Sequence, residues 1–68
     1  MKYAIGQIVE FTRLGQGKYQ KAQILERKID NPKRFIDTPN AKGNFDYLIE
    51  IQNNGRSEQV FCQEFELK

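Results

Sequence analysis

Apolar residues recur at every second position through most of this chain, the spacing of strands buried on one face. In Ile8-Val9-Glu10-Phe11-Thr12-Arg13, Val9 and Phe11 share a face while Glu10 and Thr12 point the other way. In Tyr19 to Arg27, Ala22 and Ile24 lie together, with Lys21 and Gln23 opposite. Leu25 interrupts that alternation and marks a bulge or a strand buried on both sides. The clearest segment is Phe45 to Gln52. It predicts Phe45, Tyr47, Ile49 and Ile51 on one side, and Asp46, Leu48, Glu50 and Gln52 on the other. Asn53-Asn54-Gly55 follows, and both residue types tolerate the positive φ of a tight hairpin turn. The run from Ser57 to Cys62 then returns antiparallel, with Val60 and Cys62 inward.

The flanking segments read differently. Gln63 to Lys68 is too short for a stable helix and predicts a 3₁₀ turn followed by a short last strand, with Phe65 and Leu67 inward. Residues 19–30 contain good helix formers, but their apolar stripe is patchy. Gly15-Gln16-Gly17 before them reads as a hairpin loop rather than a helix cap. Residues 31–44 hold both prolines, Pro32 and Pro39, and predict a long loop without regular structure. Loops of that length in compact domains are usually functional or disordered. Phe35-Ile36 within it either pins the loop to the domain or is offered to a partner.

Length and composition narrow the class. Sixty-eight residues make one domain, spanning residues 1–68. A chain this short buries only about 60% of the surface its unfolded form exposes. There is one cysteine, Cys62, and no histidine. No internal disulfide can form, and the ligand set of a zinc site is missing, so no metal or cofactor is expected. The lone thiol suits a reducing compartment. No apolar run approaches the length of a membrane span or a signal segment, and the expected location is the cytoplasm.

The net charge is only +2, but it is unevenly spread. Residues 13–42 carry eight basic side chains against three acidic ones, and residues 43–68 carry five acidic against two basic. Opposite charges facing each other across strands would account for this, and so would a basic face turned toward a partner.

Several short strands separated by turn signals predict an all-β fold, and in so short a chain a single sheet curling into a five-stranded barrel. The long loop lies between its second and third strands. Gly6-Gln7-Ile8-Val9, Tyr19 to Ile24, Tyr47-Leu48-Ile49-Glu50-Ile51, the Asn53-Asn54-Gly55 turn, Val60 and Phe65-Glu66-Leu67 follow in an order that resembles the Src-homology-3-like barrels, nearest to the Tudor and chromo-barrel type. The resemblance covers most of the chain except residues 31–44, and that long connection departs from Tudor domains. It implies a barrel and supports fold more than function.

Catalysis finds little support. General acid–base chemistry at neutral pH most often uses histidine, which is absent. Cys62 alternates with Val60 and reads as a small core residue. Glu64 and Glu66 read as the solvated side of a strand. Gly15-Gln16-Gly17-Lys18 lacks the spacing of a phosphate loop. The expectation is therefore a non-enzymatic module. A Tudor-like aromatic cage for a methylated cation would draw on Tyr19, Phe45, Tyr47 and Phe61, but Tyr47 is needed for the core and there is no tryptophan.

Two binding readings remain. A protein partner, or a second copy, would dock through Phe35 and Ile36 of the long loop and an outer apolar patch formed by Leu48 and Phe61. In the alternative to an open patch, the loop or the tail folds over it. A nucleic-acid strand would instead engage a basic rim with exposed aromatics, drawing on Arg13, Lys18, Tyr19 and Lys21 of the first loop and Lys33, Arg34, Phe35 and Lys42 of the long loop. That reading places both loops at one rim.

Overall fold

A computed structural model describes residues 2–12, 17–36 and 45–68. The fold is all-β in its regular structure apart from one short helix. Strands β1 (Ile8–Phe11), β2 (Gln20–Arg27), β3 (Tyr47–Asn53) and β4 (Arg56–Cys62) form one antiparallel sheet in the order β1-β2-β3-β4. Helix α1 (Pro32–Ile36) stands between β2 and β3, and a 3₁₀ turn (Glu64–Glu66) follows β4.

Alternation sets which residues are buried. Val9, Phe11, Ala22, Ile24, Tyr47, Ile49, Ile51 and Cys62 form one core on the inner face, with Val60 packed against it. The sheet register aligns them: Val9 faces Ala22, Ile24 faces Ile49, and Tyr47 faces Cys62. Residues 19–30 carry strand β2 and not a helix. The register of β2 against β3 slips between Ile24 and Glu26, so Leu25 is the extra residue of a bulge.

At Asn54 and Gly55 φ is 53° and 78°. Positive φ at both central residues gives the turn whose twist matches the strands it joins, which is why Asn53 pairs directly with Arg56.

The tail leaves β4 and crosses to β1. Phe11 and Leu67 form an isolated antiparallel bridge. Glu10 and Lys68 exchange both backbone hydrogen bonds, at 2.8 and 2.9 Å, and the Thr12 N–H donates to the Glu66 carbonyl. Leu67 is buried as expected, but Phe65 is 68% exposed instead of inward. A 3₁₀ turn rotates side chains by a third of a circle per residue, so strand alternation does not carry through Glu64–Glu66.

Tyr3 completes the core, edge-on to Tyr47 with ring centroids 5.7 Å apart. The Tyr47 hydroxyl accepts hydrogen bonds from the Lys2 and Tyr3 N–H groups and donates to Glu64 Oε1 at 2.6 Å. Glu64 Oε1 also accepts from the Lys2 N–H. One buried phenol thus ties the segment before β1 to the turn after β4.

Candidate functional site

The outer face of the sheet carries Leu48 and Phe61, directly opposite each other on β3 and β4. Alternation placed them there correctly, but they do not form an open patch. Leu48 is 2% exposed and Phe61 is half-buried. The cause is α1. Part of the segment read as unstructured folds into this helix, and its Phe35 is fully buried, edge-on to Phe61 with centroids 5.2 Å apart. Phe45 was expected beside Tyr47. It lies instead 6.0 Å from the Phe61 ring, because regular alternation begins only at Tyr47. Phe35, Leu48, Phe61 and Phe45 therefore make a second, smaller apolar cluster on the face opposite the main core. Ile36 ends α1, and its side chain lies outside the described residues.

The signal for α1 was present in Asn31-Pro32. Asparagine is a favoured N-cap residue, and proline suits the first helical position. Five residues are little more than one turn, too few to display a helical period. Arg34 anchors the helix to β2 through a 2.7 Å ion pair with Glu26.

The basic residues divide between two ends of the molecule. Lys18, Tyr19 and Lys21 are exposed at the start of β2. Lys33 and Arg34 are carried by α1 at the other end of that strand, where Arg34 pairs with Glu26. The described parts of the two basic segments therefore lie toward opposite ends of β2, because successive connections of an antiparallel meander alternate ends. Arg13 and Lys42 lie outside the described residues. At the Lys18 end, Lys68 Nζ sits 4.0 Å over the Tyr19 ring, which is 47% exposed. On the outer face, Glu10 of β1 lies opposite Lys21 of β2, one instance of the cross-strand charge pairing the composition allowed.

Cys62 is fully buried. Burial pushes its thiol up to about 12, with Glu66 and Asp46 adding to the effect, so the nucleophilic thiolate is suppressed. Among the described residues, no three His, Cys, Asp or Glu side chains gather as a metal site would require. No helix among them is long and apolar enough to cross a membrane. A shallow concavity of about 180 Å³ lies over Ile8, Lys21, Ala22, Gln23, Glu50 and Gln52. It is smaller than the few hundred Å³ or more usual for small-molecule sites.

The remaining feature is the edge of the sheet. β4 is the last strand in the order. Asn53 and Arg56 close a two-residue turn, so they form a hydrogen-bonded pair, and the backbone groups of every second residue from Arg56 point toward β3. Those of Ser57, Gln59 and Phe61 point away. None of these three makes a backbone hydrogen bond outside the strand ladder among the described residues. The opposite edge differs, since the tail covers β1 through Glu10 and Thr12. β4 keeps one unbroken register with β3 over seven residues and contains no proline or bulge; the charges of Arg56 and Glu58 are its only edge-blunting features. Alternation alone does not disclose an edge, because it does not give strand order. Comparison with protein-family models, curated proteins and solved structures returns no match.

Proposed function

We propose that this chain is a non-enzymatic interaction module that docks a protein partner by strand addition along β4. The unpaired edge at Ser57, Gln59 and Phe61 carries the reading. An extended segment laid against it gains main-chain hydrogen bonds, while its alternate side chains give specificity. Phe35, Leu48 and Phe61 serve here as backing rather than as the docking surface. Their cluster holds the end of β4 flat against β3 and fixes the backbone that the partner reads.

The same reading takes the tail as the fifth strand of a Src-homology-3-like barrel. The Glu10–Lys68 bond pair and the Phe11–Leu67 bridge support it. A second reading is a single-stranded nucleic acid at the Lys18 end, favoured by the exposed Tyr19 ring with Lys18, Lys21 and Lys68 around it.

One NMR titration separates the two. A synthetic peptide of alternating Thr and Val should shift the amide signals of Ser57, Gln59 and Phe61. A short oligothymidine that shifts Lys18–Lys21 instead, with an effect that fades steeply as salt rises, would favour the second reading. A peptide that leaves β4 unmoved at millimolar concentration removes the first.

A further inference from the structure

We infer that the strand added to β4 is β4 of a second copy of this chain, paired antiparallel about a two-fold axis at Gln59; this rests on the strand-addition reading above. The geometry of the edge restricts the register. Only Ser57, Gln59 and Phe61 present outward backbone groups, so a hydrogen-bonded two-fold centre must fall on one of them. A centre at Ser57 would set β4 against Asn54 and Gly55, whose left-handed backbones cannot extend a ladder. A centre at Phe61 would run β4 into the Glu64–Glu66 turn. A centre between hydrogen-bonded pairs fares no better. At Glu58 it sets like charges face to face, and at Val60 it leaves Arg56 and Ser57 unmatched.

Gln59 alone lets all seven residues pair. Ser57 then meets Phe61 of the second copy and Gln59 meets its own counterpart, each pair exchanging both N–H···O=C bonds. Arg56 falls opposite Cys62 and Glu58 opposite Val60, so no like charges stand directly across the seam. Gln59 is exposed on the outer face, and an amide side chain both donates and accepts. Two such amides on the axis can bond to each other.

The self-pairing also accounts for an asymmetry. Among the described residues the molecule covers the edge of β1 with its own tail and leaves the outward backbone groups of Ser57, Gln59 and Phe61 on β4 without a backbone partner. A two-stranded seam of this length is a small interface, so association should be weak and concentration-dependent.

The test uses the whole chain. Sedimentation equilibrium across micromolar to millimolar concentrations should show a monomer–dimer equilibrium. Exchange of the Ser57, Gln59 and Phe61 amides should slow as concentration rises. Gln59→Lys and Gln59→Glu each place like charges on the axis and should each weaken the dimer about fourfold, the effect of two unit charges roughly 5 Å apart in water. An equimolar mixture of the two variants should recover association as a heterodimer. Both substitutions lie at an exposed position, and amide spectra report whether each remains folded. A protein that stays monomeric to millimolar concentration overturns the inference, as does a dimer indifferent to both substitutions. If such a monomer still takes up the Thr-Val peptide at β4, strand addition stands and only self-pairing fails; if it takes up neither, both fail.

Discussion

At the scale of single residues, Tyr47 is where burial and polarity are reconciled. Its ring lies in the core, and its hydroxyl satisfies two backbone N–H groups and one carboxylate. Burial, and then the hydrogen bond to Glu64, raise the Tyr47 phenol above its ordinary value. Glu64 is held below the usual carboxylate range, first by the Tyr47 hydroxyl and then by the Lys2 N–H. A carboxylate depressed in the folded state stabilises fully above its unfolded pKa, and that contribution fades as pH falls through the folded value. Urea midpoints should therefore drop on acidification below the ordinary glutamate range. Glu64→Gln should flatten that part of the profile while lowering the midpoint at neutral pH. An unchanged profile in the variant would remove Glu64 as the cause. Sequence alternation placed Tyr47 in the core but gave no hint of Tyr3, because one aromatic before the first strand has no period to belong to. The hydroxyl network was equally hidden, since its partners lie far apart in the chain.

At the scale of elements, the strands were legible because period two is imposed by the pleat itself. Val9 and Phe11, Ala22 and Ile24, and Tyr47, Ile49 and Ile51 all lie where alternation puts them. The positive φ at Asn54 and Gly55 follows from residue type in the same way. What alternation cannot tell is what covers an outward apolar residue. Leu48 and Phe61 were placed on the correct face, but whether that face was bare depended on a helix of five residues. Phe35 is the test of that helix. Phe35→Ala removes the fully buried ring that meets Phe61 and should cost about 3 kcal/mol. Denaturation should register the loss, and a fluorescent apolar dye should bind the newly bared Leu48–Phe61 surface. A variant as stable as the parent would mean that α1 is not what shields the outer face. The 3₁₀ turn shows the opposite limit: it was anticipated, yet its rotation left Phe65 outside while Leu67 went in.

At the scale of the whole molecule, an antiparallel meander alternates its connections, and this separates Lys18 and Lys21 from Lys33 and Arg34 whatever their composition. The tail works against that simple order. It joins β1 to residues at the far end of the described chain, and Leu67 inserts beside Phe11 where the sheet alone would leave an open margin. Leu67→Ala should cost about 2–3 kcal/mol in urea denaturation and should speed amide exchange at Glu10 and Thr12, whose N–H groups bond to the tail. Undisturbed exchange there would show that the tail does not depend on its leucine. Three consecutive residues of β3, Tyr47, Leu48 and Ile49, are buried although a one-sided sheet would alternate. They are sandwiched between the main core below and the aromatic cluster above. Solvent must therefore displace two separate layers to reach this stretch of backbone, whereas the remainder of β3 is guarded from one side only.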